Sequence, residues 1–285
     1  MSLGICIKAP EGIVLAADSR VTLFTPIPNQ SLYVPATYDN ATKLLHLPSQ
    51  THIGMVTYGL GVIGETDFRT PYSLLPDLEK ELVKTLKLSS HGRAPRMSVI
   101  DFAKATSKFF MDLWTSKMPK VYIGDAVRFY VAGYDQGEQY GKVFWFAIPF
   151  QPNPTEYYPN SFGITFDGQR EYVDRILRGY DDNLIPQVKE VLQLTDDQSS
   201  KLTSDLAPRT YVQLPIQFLP LQDCVDLAIF LIKTTISMQR FVPLIRGVGG
   251  DIDVATIVGT EGFKFLQQKR VRGEKPSINF EGLMS

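Results

Sequence analysis

Residues 12–17 read Gly-Ile-Val-Leu-Ala-Ala, an apolar run of strand length with no alternation of polar and apolar positions. A strand with one face in water alternates, because successive side chains point to opposite faces. One that does not alternate is covered on both faces, so this segment demands a sheet buried between layers. Another apolar run, Leu3 to Lys8, precedes it, and Ala9-Pro10-Glu11-Gly12 between them is good turn chemistry. A hairpin is therefore expected at the start of the chain. With its turn centred between Pro10 and Glu11, Ser2 falls opposite Ser19, and Asp18 and Arg20 are its neighbours across the ladder.

The remaining chain reads in blocks. Residues 23–40 hold three prolines and no clean period, and read as a long loop. Thr42 to Leu47 and Ile53 to Thr57 read as a further pair of short strands, with Gly59, Gly61 and Gly64 marking a tight backbone passage. Leu74, Leu75, Leu78, Leu82 and Leu86 recur at helical spacing. Ser98 and Asp101 resemble a capping box that opens a helix with an apolar face of Phe102, Phe109, Phe110, Leu113 and Trp114. Three strand-like segments follow, VRFYVAGYD, KVFWFAIPF and SFGITFDG, the first two joined through Asp135-Gln136-Gly137-Glu138.

Helical signals return at Glu171 to Arg178 and again along Val225, Ala228, Ile229, Ile232 and Ile236, with Asp223 and Asp226 in the first turn. The stretch 195–216 reads as loop. The glycine-rich Gly247 to Gly250 reads as a turn before a final strand, Asp253 to Val258. Strands and helices grouped in this way imply an α+β fold in which two antiparallel sheets pack together with helices outside. No repeat or linker divides residues 1–285, so a single domain is expected.

Composition narrows the function classes. The 285 residues carry 29 basic and 30 acidic side chains, a balance that points neither to nucleic acid nor to an anionic membrane. The two cysteines, Cys6 and Cys224, give no disulfide framework. His46, His52 and His91 lie in no metal-ligand spacing, so neither a metal nor another cofactor is expected. No secretory signal or membrane-spanning run is expected, which fits a cytoplasmic location.

The segment GIVLAADSRVT resembles the second strand and turn of proteasome β subunits, which belong to the N-terminal-nucleophile hydrolases. NATKLLHL is similar to the strand that carries that family's active-site lysine, and GMVTYGLG to the segment that ends in its oxyanion-hole glycine. GQREYVDRILRGYD resembles bacterial proteasome homologues of the Anbu type. The resemblance spans roughly the whole chain and implies a four-layer αββα sandwich. It puts the nucleophile on Ser2, with Asp18, Arg20, Lys43 and Gly59 as its partners. Val21, Thr22, Ala41, Thr57 and Gly61 would then contact substrate, Thr22 through its backbone.

The family usually has a serine before a glycine ahead of its third helix, where this chain has Asp167 and Gly168. It also has an aspartate and a serine before a Gly-Gly pair, where this chain has Ile245 and Val248. Support for the nucleophile's amine would then come from Asp167 or Asp251. The implied function is hydrolysis of peptides or unfolded protein by a homo-oligomer built as a ring or stacked rings.

Chemistry supports that assignment. A serine hydroxyl needs a base, and a free α-amino group, with a pKa of about 7.7–8.0, supplies one at neutral pH once Met1 is removed. Taken singly, each residue has a plainer reading: a solvated strand lysine for Lys43, a turn acid for Asp18, a turn glycine for Gly59, a frayed terminus for Ser2. Their order along the chain carries the functional reading. Two alternatives stay open: a non-catalytic structural subunit of the same fold, and a small-amide hydrolase whose pocket is roofed by Tyr33 and Tyr38.

Overall fold

The computed structural model describes residues 2–26, 33–85, 95–243 and 245–269. Met1, Leu86 and His91 lie outside them, as does the side chain of Tyr33.

Strands β1 (Leu3–Ala9) and β2 (Gly12–Asp18) pair antiparallel from Gly4 opposite Ala17 to Ala9 opposite Gly12, the register that the turn residues predict. Along the chain follow β3 (Val21–Pro26), β4 (Tyr33–Tyr38), β5 (Leu44–Leu45) and β6 (Ile53–Gly59). Helices α1 (Leu75–Thr85) and α2 (Val99–Lys117) lead to β7 (Val127–Gly133), β8 (Lys142–Ile148), β9 (Gln151–Tyr157) and β10 (Gly163–Gly168). Helices α3 (Glu171–Leu177), α4 (Leu184–Leu192), α5 (Asp196–Thr210) and α6 (Leu221–Gln239) precede β11 (Ile252–Val258) and β12 (Gly262–Gln267).

The fold is mixed α and β with antiparallel sheets. One sheet runs β10-β1-β2-β11-β12, another β5-β6-β7-β8-β9, and β3 and β4 form a separate two-stranded ribbon. Every residue of β1 and β2 is buried, for the reason their composition demands. Ile5, Ile7, Val14 and Ala16 pack toward Val173 of α3 and Ala228, Leu231 and Ile232 of α6. Cys6, Ile13, Leu15 and Ala17 point the other way, onto Leu44, Val56, Tyr58 and Tyr130 of the second sheet. That sheet turns Met55, Phe129, Val131 and Phe146 to Leu78 and Leu82 of α1 and Phe102, Phe110 and Trp114 of α2. Fully burying one such side chain contributes about 1.5–3 kcal/mol. Helix α2 begins at Ser98, whose hydroxyl accepts from the Asp101 N–H, as the capping pattern implies.

Five segments differ from the sequence reading. Of the supposed loop over 23–40, residues 27–32 lie outside the described ones and the stretches on either side form β3 and β4, because a two-stranded ribbon has free edges where a proline loses no ladder bond. Strand β9 is absent from the sequence reading for the same reason: Pro152 and Pro154 sit on the edge strand of its sheet. The supposed loop over 195–216 holds α5, which buries no side chain and so shows no apolar stripe. Its signal was the capping box of Thr195 and Gln198, whose side chains each accept from the other's backbone N–H. Helix α4 and strand β12 went unread as well, α4 likewise burying no side chain. Among the described residues no helix is long and apolar enough to cross a membrane.

Candidate active site

Asp18 ends β2 with no solvent exposure and accepts four hydrogen bonds. Its Oδ1 takes the Leu3 N–H at 3.1 Å and the Lys43 ammonium at 2.7 Å. Its Oδ2 takes the Arg20 N–H at 3.1 Å and the Gly249 N–H at 3.0 Å. One carboxylate therefore ties the start of β1 to the loop before β11 and to the residue before β5. Lys43 also donates to the Arg20 carbonyl at 2.5 Å, so two of its three donors are used and one remains for the cleft that it borders. The Thr57 N–H holds the Lys43 carbonyl at 2.9 Å, which fixes the lysine beside β6. Burial pushes the Lys43 ammonium below the ordinary lysine value, while the Asp18 charge beside it acts in the opposite direction.

Ser2 is buried, and its carbonyl accepts from the Gln169 N–H at 2.8 Å. Gly168 makes that contact possible. Its φ is +102°, and a Cβ there would lie 2.0 Å from the Ser2 carbonyl oxygen. A cleft of about 390 Å³ opens on this point, bordered by Ser2, Lys43 and Gly59. Val21, Ala41, Thr57 and Gly61 form part of its wall, with Leu23, Val62 and Tyr72 among the others. The volume suits a small ligand group, and the lining is largely apolar with a few polar atoms. Gly59 turns the chain with φ +85° beside Ala126 and Arg128.

Other residues singled out in the sequence lie elsewhere. The Arg20 guanidinium turns away to Asp39, bonding at 2.5 and 2.7 Å, so Arg20 offers Lys43 only its backbone carbonyl. Thr22 is buried, faces Thr37 in the ribbon and is not part of the cleft wall. The Asp167 carboxylate accepts from the Gly168 N–H at 2.7 Å and lies 3.7 Å from Arg128. Asp251 is exposed. Cys6 is sealed between the sheets, and burial drives its thiol pKa upward, away from nucleophilic use.

Sequence reasoning missed the polar scaffold around the Ser2 backbone. The Gln239 side chain donates to Gln169 at 2.8 Å and accepts from the Val248 N–H at 3.0 Å. At Gly249 a Cβ would meet the Arg20 guanidinium at 2.5 Å. The run Gly247 to Gly250 was its visible signal. Among the described residues no three His, Cys, Asp or Glu side chains cluster as metal ligands.

No protein-family model matches the chain, and no curated protein matches it. Among solved structures it is similar to the Anbu (Gly-1) mutant from Hyphomicrobium sp. strain MC1, at 13% identity and a TM-score of 0.52. The match covers 97% of this chain and 89% of that one. At that identity the likeness is one of fold: the chain shares its architecture with an Anbu protein.

Proposed function

We propose that the chain is a proteasome-like peptidase of the N-terminal-nucleophile type, folded as one four-layer αββα domain. The observation that carries this reading is the convergence of Ser2, Lys43 and Gly59 on one cleft, with Asp18 holding the lysine from behind. The likeness in fold to an Anbu protein and the sequence resemblance to that type are independent supports.

After removal of Met1, the Ser2 α-amino group takes the hydroxyl proton as Oγ attacks the acyl carbon of an extended substrate. The backbone at Gly59 and the Lys43 ammonium stabilise the negative charge that develops. The amine then leaves with the proton, breaking the C–N bond, and water hydrolyses the ester on Ser2. Asp18 keeps Lys43 charged and in place, since a buried ammonium without a partner would lose its proton. Val21, Ala41, Thr57 and Gly61 give the cleft an apolar lining that favours an apolar side chain at the scissile bond. Thr22 presents backbone rather than side chain, and Asp167, Gly168 and Arg20 hold the surroundings. Assembly into a homo-oligomeric ring or stacked rings belongs to the same reading, because it would hide such a site from folded proteins.

Turnover of fluorogenic peptides with apolar side chains at the cleavage point tests the proposal. Activity is expected from the chain lacking Met1 and background rates from Ser2→Ala. Equal rates in the two would overturn it, and turnover of small acyl amides alone would favour the small-amide reading.

A further inference from the structure

A second acid–base pair, Asp253 with Lys269, is shielded from solvent where β11 meets the chain beyond β12. Asp253 on β11 faces Ala17, one step along the ladder from Ile252 opposite Asp18. Strand alternation turns it to the side of Ala255 and Ile257, which pack between the sheets with Ala17 and Leu44. It is 1% exposed. Beyond β12 the chain returns to it: the Lys269 N–H donates to Asp253 Oδ1 at 2.8 Å and the Lys269 ammonium to Oδ2. The Gln267 side chain ties the same end of β12 to the Ile252 carbonyl at 2.6 Å.

Both members of this pair are within electrostatic reach of Lys43, Asp253 favouring its charged form and Lys269 opposing it. The charges that act on Lys43 or respond to it are thus Asp18 from β2, Asp39 with its partner Arg20 from the ends of the β3–β4 ribbon, Asp253 from β11 and Lys269 after β12. In the buried interior Asp18, Lys43, Asp253 and Lys269 form a set of opposed charges that cancel. Without Lys269, Asp253 would stand as an uncompensated carboxylate beside the site.

We propose that Lys269 is a positioning residue: by neutralising Asp253 it sets the charge balance around Lys43, and through Lys43 that of the Ser2 amine. Its second half rests on the peptidase reading of the cleft; its first half does not.

The titration of Lys43, followed in the full chain by the NMR shift of its ε-carbon and assigned with Lys43→Met, decides between outcomes. Lys269→Gln is expected to shift the midpoint upward and Asp253→Asn to shift it downward, with the double variant close to wild type. Unmoved midpoints in both single variants overturn the proposal. Should Lys269→Gln fail to fold, the near-isosteric Asp253→Asn and the neutral double variant still decide. In peptide turnover a Lys43 that holds its charge more firmly repels the Ser2 α-ammonium, so the acidic limb of the pH–rate profile should move the opposite way, to lower pH in Lys269→Gln and to higher pH in Asp253→Asn. Reduced rates with an unmoved limb would leave the pair only a packing role and overturn its link to Ser2. Shifted midpoints in a chain that cleaves no peptide uphold the link to Lys43 and remove the peptidase reading instead.

Discussion

The Lys43 ammonium and the Asp18 carboxylate meet at 2.7 Å, the lysine side chain 6% exposed and the aspartate fully enclosed. Their burial makes the pair asymmetric. Asp18 holds three backbone N–H groups besides the lysine, whereas Lys43 has Asp18 as its single ion-pair partner among the described residues, the Arg20 carbonyl being neutral.

That asymmetry predicts an order of stability. Asp18→Ala leaves a buried ammonium and three stranded N–H donors, and should cost about 3–5 kcal/mol. Lys43→Met leaves a carboxylate that still accepts three hydrogen bonds, and should cost less. Urea unfolding of the two variants measures the difference; an equal or reversed order contradicts the geometry.

At Gly168 the constraint is steric. Gly168→Ala places a methyl 2.0 Å from the Ser2 carbonyl oxygen and forces an alanine to φ near +102°. A loss of about 1–3 kcal/mol is expected from the backbone strain alone. Ser2 must also shift, so turnover should fall by more than the fraction unfolded explains. Paired melting curves and rates check this.

Cleft width sets the third expectation. Ala41→Leu inserts bulk into the wall beside Thr57 and Gly61. Peptides with large apolar side chains at the cleavage point should show a raised KM, while those with alanine there change little. A uniform change across both substrates would place the specificity elsewhere.

Acid stability follows from two histidines. The His46 ring stacks on Phe263 at 4.8 Å, and His52 Nε2 lies 2.9 Å from the Met97 carbonyl. Burial pushes both imidazoles below the ordinary histidine value. The unfolded chain, with histidine near about 6.5, therefore binds more protons than the folded one between the folded and unfolded values. Stability is thus lost as pH falls from about 6.5 through that window. Tm measured against pH should decline there, and His46→Gln should flatten the decline; an unchanged slope contradicts the assignment.

Much of this was legible where the physics is local. The unbroken apolar run of β2 and the Pro10–Glu11 turn set the hairpin register, and with it the approach of Asp18 to the start of β1. Alternation explains why Thr22 offers backbone and not side chain. Val21 and Leu23 line the cleft, so Thr22 between them points away. Arg20 was counted for its charge, but Asp39 captures the guanidinium across the ribbon, and the prolines had hidden that ribbon. Gln169, Gln239, Gly249 and Lys269 arrive from far along the chain. No local period or cap marks a residue whose role depends on which distant strand becomes its neighbour.

Mass spectrometry of the full chain after exposure to a β-lactone reactive toward N-terminal nucleophiles tests the central claim most directly. An adduct on Ser2 of the chain lacking Met1, absent from Ser2→Ala and weakened in Lys43→Met, is the predicted result. An intact chain with Met1 retained and no adduct, or an adduct that persists in Ser2→Ala, would contradict it.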